Sequence, residues 1–419
     1  MFPRPTVEQH PANEAFFKQH GRMPIITHLT DTDLYKFTMQ QVVLHQFPDA
    51  DSEYRFKCRN EGIDLRPLAD ELRLELEHLC QLQFTESELA YLASLRYIKR
   101  DYIEFLRIFK LRKEFVQIDV SGDQLEIRIK GPMLHVMPFE IYLLAIINEL
   151  HFRQYASDAV FEEGMRRLNE KVALVEEHFA KVPGRGVGSF KFSDFGTRRR
   201  FSRDWQATVV RNLVQLLPKY FVGTSNVYLA MTEGLIPIGT HAHEFLQSFQ
   251  AQQYQLADSQ KAALEAWVKE YRGDLGIALT DVIGIDAFIR DFDLYFAKLY
   301  DGVRHDSGDP YEWGSKIIHH YESLRINPMT KTLVFSDGLT MRKALNLYEY
   351  FSGRANTAFG IGTHLTNDLG PTPLNIVIKL VRFNDKPVAK LSDSQGKTMC
   401  DDPGFISYLK QVFKVKDAA

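Results

Sequence analysis

Cysteine is scarce in this chain: Cys58, Cys80 and Cys400 are the only three among 419 residues, and they stand far apart. Such spacing excludes a disulfide-stapled scaffold and a paired-cysteine metal site, and it fits a reducing compartment. A surplus of either charge is also missing. Lys plus Arg number 51 against 54 Asp plus Glu, for a net charge of −3, without the basic excess that a nucleic-acid binder carries. No nucleic-acid partner is expected, and local arginine clusters must serve a small anionic ligand. Nor is there a clean apolar run. Residues 1–21 lack a signal-peptide core, and the most hydrophobic stretch, 132–150, is interrupted by His135, Glu140, Asn148 and Glu149, so no membrane association is expected and the location reads as cytoplasmic. Low-complexity segments and internal repeats are absent too.

What is present is an ordinary globular composition, 45% apolar, over a length that allows two or three domains. The first third reads as α+β. Helical spacing covers Leu65 to Leu82 and Glu86 to Leu95, and alternation in 117–120 and 125–129 around Ser121-Gly122-Asp123 marks a hairpin. Residues 1–150 are therefore read as an N-terminal domain. After a Gly- and Pro-rich linker, Lys181 to Gly188, the pattern becomes strand, loop, helix, repeated through 185–370, which predicts an incomplete, irregular α/β barrel of about seven parallel strands. The C-terminal extension, 371–419, contains a second hairpin (374–395) around Asn384-Asp385, expected to pack back on the N-terminal domain with Lys379 and Lys390 outside the βα repeat.

Seven polar or Gly-rich clusters follow the apolar runs: Asp194-Phe195-Gly196-Thr197-Arg198, Gly223-Thr224-Ser225-Asn226, Gly239-Thr240-His241-Ala242-His243, Asp281, Arg304-His305-Asp306-Ser307-Gly308-Asp309, Ser336-Asp337-Gly338 and Gly360-Ile361-Gly362-Thr363. Carboxyl ends of parallel strands share one mouth, so a single site assembled from seven loops is expected. The loops at 223–226 and 359–363 have the glycines and hydroxyls of phosphate cradles, or of plain turns. Asp281, Asp306 and Asp337 are candidates for ribose or Mg²⁺. Phe195 with Arg198 suits a planar anionic ring, whereas Arg199 and Arg200 are expected to face solvent on the next helix. His243 is either a phosphoryl acceptor or general acid–base, or a satisfied polar side chain, and His241 is read as structural. Near the N-terminus, Asp31-Thr32-Asp33-Leu34-Tyr35-Lys36-Phe37-Thr38 opens a helix with Tyr35 in its first turn.

From about Thr30 to the C-terminal region, the order of these motifs resembles the nicotinate phosphoribosyltransferase family, type II phosphoribosyltransferases related to nicotinamide and quinolinate phosphoribosyltransferases. The resemblance implies condensation of nicotinate with phosphoribosyl pyrophosphate to nicotinate mononucleotide and pyrophosphate in NAD salvage. ATP hydrolysis would be coupled through a phosphohistidine, with Mg²⁺ as the metal, in a homodimer with shared active sites. It also implies roles. His243 matches the phosphorylated histidine and Thr240 a nicotinate contact; Tyr35 matches a ring-stacking tyrosine that reaches the partner subunit's site. Phe195 would stack on the opposite ring face, and Arg198 and Arg304 would meet the substrate carboxylate or phosphate. Thr224 and Ser225 would bind substrate. Asp281 and Asp306, catalytic with His243, would line the phosphoribosyl and Mg²⁺ region with Asp337, Gly362 and Thr363, and Asp306 would be the Mg²⁺ ligand. Ser225 stands where the nicotinamide-using relatives resemble Gly-Thr-Asp, so it reads as a position selecting acid over amide. A phosphosugar isomerase or decarboxylase, or a non-catalytic nucleotide binder, are the rival readings.

Overall fold

The computed structural model describes residues 8–415 apart from 121, 182–188, 253–254 and 395–397; most of the expected linker lies outside the described residues. Two sheets organise the chain. The first is antiparallel, built from β1 (Asp51–Cys58), β2 (Val116–Asp119), β3 (Glu126–Pro132), β10 (Ile376–Phe383) and β11 (Lys386–Pro387) in the order β11-β10-β1-β3-β2. The β2–β3 pair matches the expected hairpin, with Ile118 opposite Ile127. The C-terminal β10 lies against β1, with Lys379 opposite Arg55. The apolar faces of this sheet meet the helix Phe139–Phe152, which is buried almost throughout because 13 of its 14 residues face protein. It lies within the most apolar stretch of the chain, Met133–Tyr155, whose membrane-length window is 89% buried inside the protein.

The second sheet is parallel. It contains β4 (Phe192–Asp194), β5 (Phe221–Thr224), β6 (Ile277–Leu279), β7 (Gly302–His305), β8 (Thr332–Phe335) and β9 (Asn356–Ile361), in the order β5-β4-β9-β8-β7-β6. Among the described residues, six strands stand where about seven are expected. The missing one is Leu235 to Ile238, where Pro237 has no N–H to give to a ladder. The segment nevertheless runs between the two edge strands: Ile238 N–H donates to Thr224 O on β5 (2.9 Å), and the Thr240 hydroxyl donates to Ile277 O on β6 (3.0 Å).

The two halves are stitched by residues 30–34. Leu34 N–H donates to Ser225 O (2.8 Å), Val227 N–H to Thr32 O (2.9 Å) and Tyr228 N–H to Thr30 O (2.8 Å). Beside this seam the Arg200 guanidinium, wholly buried, makes a bidentate pair with Asp31 (2.7 and 2.8 Å). Asn226 Nδ2 also donates to Asp31 (2.7 Å). The expectation that Arg200 faces solvent is corrected. The helix that was to carry it begins only at Arg203, capped by Ser202, and a single 3₁₀ turn, Thr197–Arg199, leaves Arg200 pointing inward.

Removing one partner of a buried ion pair leaves the other uncompensated, so Arg200→Met should cost about 3–5 kcal/mol of stability. Urea unfolding followed by circular dichroism checks this, with the exposed Arg166→Ala expected to shift the midpoint little.

Candidate active site

A cavity of about 560 Å³ opens at the carboxyl ends of the parallel strands and is closed on its far side by the antiparallel sheet. Tyr35, Phe195, Arg198, Ser225, His243, Arg304, Asp306, Asp337, Gly362 and Thr363 all line it. Phe195 owes its position to a glycine: a Cβ on Gly360 would come within 2.2 Å of the Phe195 ring, so the ring fits against β9 only because none is there.

His243 begins the short helix His243–Ser248. Its Nε2 lies 2.8 Å from Asp281 Oδ1 and 3.6 Å from Asp306 Oδ2. A carboxylate only accepts, so Nε2 carries the proton and Nδ1 keeps the lone pair. Burial, then nearby Lys390, push the imidazole down to about 4 against the pull of Asp281. Asp281 does not line the cavity; it lies 1% exposed behind the histidine. It also accepts from Ser307 Oγ (2.6 Å) and Lys390 Nζ (2.7 Å). Burial works against this carboxylate, yet His243 and Lys390 outweigh it and hold Asp281 well below the usual range.

Among the described residues, His243, Asp281 and Asp306 are the one group whose donor atoms, within 4.8 Å of one another, could hold a metal ion. Asp281 already accepts from three donors. Asp306 is partly exposed and bonded on one oxygen to Ser336 Oγ (2.8 Å), so it fits a Mg²⁺ ion that keeps most of its sphere for ligand oxygens.

Several expected contacts fall elsewhere. Thr224 points inward to Asp194 Oδ2 (2.8 Å). Thr240 is spent on the β6 edge, and its carbonyl accepts from Thr38 Oγ (2.6 Å). The loop 223–226 is not a phosphate cradle: the backbone N–H groups of Ser225, Val227 and Tyr228 are taken by Asp194 and the 30–34 segment. Ser225 does reach the cavity, but its hydroxyl donates to Asp33 Oδ1 (2.7 Å), so a buried carboxyl group, pushed up by burial, already stands at that corner. Tyr35 lines its own chain's cavity, pinned by the 30–34 seam. His241, read from the sequence as structural, is buried edge-on against Trp267 (4.8 Å).

Sequence reasoning missed a wall of cations. Arg59, Arg199, Lys379 and Lys390 join Arg198 and Arg304 around the cavity, the two lysines arriving from the C-terminal hairpin. Arg199, expected in solvent, is instead pushed down to about 9 by burial and by Arg198 and Arg59 beside it. Burial, with Lys390 and Arg59 nearby, lowers Lys379 to about 7. The signal was available in the paired lysines flanking the Asn384-Asp385 turn, but not the direction in which they point.

Comparison with known proteins decides the relationship. The sequence profile of the nicotinate phosphoribosyltransferase (NAPRTase) family matches residues 190–417, and its N-terminal domain matches 30–148. The chain belongs to this family. It is 60% identical to the nicotinate phosphoribosyltransferase of Chromobacterium violaceum, over 94% of this chain and 98% of that protein. With that of Cupriavidus necator it shares 56%, over 94% and 100%. Among solved structures, nicotinate phosphoribosyltransferase from Vibrio cholerae superimposes with a TM-score of 0.88 at 40% identity, covering 94% of this chain and 95% of that one. The Porphyromonas gingivalis enzyme gives 0.87 at 36%, covering 93% and 100%.

Because His243 is lowered in the folded chain, the unfolded state binds the extra proton between about pH 4 and 6.5, and its contribution to stability is lost as pH falls through that window. Nitrogen-15 spectra of histidine-labelled protein should show the neutral Nε2–H tautomer at pH 6. A doubly protonated ring there would refute the assignment.

Proposed function

We propose that the chain catalyses ATP-dependent condensation of nicotinate with phosphoribosyl pyrophosphate, releasing nicotinate mononucleotide and pyrophosphate. The observation that carries this reading is one cavity holding an aromatic pair, Tyr35 and Phe195, beside crowded cations and a neutral histidine backed by a carboxylate. Family membership narrows the choice. An aromatic pair suits the pyridine ring, and Arg198 suits its carboxylate, which an amide would not match. Burial first, and then neighbouring cations, lower Lys379 and Arg199, and a bound polyphosphate would offset both penalties.

For the phosphoryl step, the Nδ1 lone pair of His243 attacks the γ-phosphorus of ATP, the bond to the β-phosphate oxygen breaks, and ADP leaves. Asp281 holds the Nε2–H throughout and stabilises the charge that develops on the ring. Asp306 would hold a Mg²⁺ ion, which when bound neutralises phosphate oxygens. The phosphorylated histidine adds about two negative charges among the cations, reorganising them for phosphoribosyl pyrophosphate. Glycosyl transfer then needs the ring nitrogen held in line with the ribose carbon, which is positioning by Tyr35, Phe195 and Arg198, with charge stabilisation by Arg304 and Asp337.

Residues 1–150 with the C-terminal hairpin form one domain in this reading, and 185–370 the other. A cytoplasmic setting accords with the three unpaired thiols. The family resemblance implies a homodimer, but ring-site completion does not depend on one.

The test is direct: incubate the protein with nicotinate, phosphoribosyl pyrophosphate and Mg²⁺, with and without ATP, and measure nicotinate mononucleotide. No product under either condition would sink the reading. His243→Asn should lose ATP stimulation and acid-labile, base-stable phosphate labelling while keeping slow ATP-independent synthesis. Mixing Tyr35→Ala with His243→Asn subunits should restore no activity, since Tyr35 serves its own chain; recovery would favour a shared site.

A further inference from the structure

Beneath the ring-binding end of the cavity lies a buried group of charges that the proposed chemistry does not use. Lys36, 2% exposed and next to Tyr35, has its Nζ 2.6 Å from Glu140 Oε2 and also bonded to Glu244 Oε1. Tyr54 OH donates to the other oxygen of Glu244 (2.6 Å). Glu140 therefore turns one oxygen to Lys36, and its second, Oε1, lies 4.0 Å from an Arg198 guanidinium nitrogen. Two cations and two carboxylates share this space. Burial opposes the Lys36 charge, but Glu140 and Glu244 more than offset it and raise the ammonium above its ordinary range. Asp33, Asp306 and Tyr35 also face Arg198.

Glu140 is thus a built-in rival for Arg198. At 4.0 Å it stops short of a charge-assisted hydrogen bond, whose N···O distance is about 2.7–2.9 Å. The stronger tie is to Lys36. We propose that Lys36 is a positioning residue that restrains Glu140, leaving Arg198 open to the carboxylate of the incoming pyridine acid; this rests on the functional reading above. Without the ammonium, Glu140 would turn both oxygens to Arg198 and occupy the place of the substrate's carboxylate. Acid recognition would then depend on a lysine that never touches the acid.

Steady-state constants for nicotinate and phosphoribosyl pyrophosphate, with calorimetric titration of nicotinate alone, test this in Lys36→Met, Glu140→Gln and Lys36→Met/Glu140→Gln. Lys36→Met should raise KM for nicotinate about tenfold or more while KM for phosphoribosyl pyrophosphate moves less than about threefold. Glu140→Gln should leave nicotinate KM at or below the parent value, and the paired substitution should recover most of the loss. Should Lys36→Met fail to fold, Glu140→Gln and the paired variant decide. A weaker nicotinate KM in Glu140→Gln would show that Glu140 orients Arg198 and overturn the proposal. Equal losses for both substrates in Lys36→Met, an unchanged nicotinate KM in folded Lys36→Met, or no recovery in the paired variant would do the same. A parent chain that makes no product yet shows this order of nicotinate affinities would refute the functional reading and uphold this one.

Discussion

The short antiparallel seam between residues 30–34 and 225–228, locked by the buried Asp31–Arg200 pair, is the constraint on which the rest depends. It holds a segment from the N-terminal third against the strand ends of the parallel sheet. Everything downstream on that segment follows. Tyr35 is delivered to the cavity, Lys36 to the charges beneath it, and Asp33 to Ser225. A buried ion pair is a poor source of net stability, because desolvation offsets much of the attraction. Its value here is register: a seam of three backbone bonds would be loosely specified by itself, and a bidentate pair tolerates no slip.

A second theme is charge held at close quarters. The cavity gathers cations from three separate parts of the chain: Arg59 beyond β1, Arg198 and Arg199 from the loop after β4 with Arg304 from the end of β7, and Lys379 and Lys390 from the hairpin. Burial and, after it, crowding cost these cations free energy in the free protein, which shows in the lowered Lys379 and Arg199. A polyanion recovers that cost on binding. Carboxylates are placed differently, each tied to a defined donor: Asp281 to His243, Ser307 and Lys390, and Glu140 to Lys36. The site is thereby kept from neutralising itself.

Much of the architecture was legible because its signals are local. Strand–loop–helix alternation, the β2–β3 hairpin and the strand-end clusters depend on periodicity and turn chemistry within a few residues. Errors arose where a local breaker was overlooked or where a distant partner overrode the local pattern. Leu235 to Ile238 reads as apolar strand, but Pro237 withholds a donor. Thr224 and the 223–226 loop read as a phosphate cradle, yet Ser225 N–H goes to Asp194 O, Asn226 N–H to Thr224 Oγ1, and the next N–H groups, of Val227 and Tyr228, to a segment nearly 200 residues away.

By itself the sequence determined the chemistry available: a histidine, three strand-end aspartates, an aromatic and an arginine at the ends of apolar runs, in an order specific enough to mark the family. Only the tertiary structure decided which of them meet. It turned Thr224 and Thr240 away, put Asp281 behind His243 rather than in the cavity, buried Arg200, and brought in Lys379, Lys390 and Glu140. The reason is physical. Side-chain type is a local property, whereas direction and partnership are set by long-range packing and by the requirement that every buried charge find its counterpart.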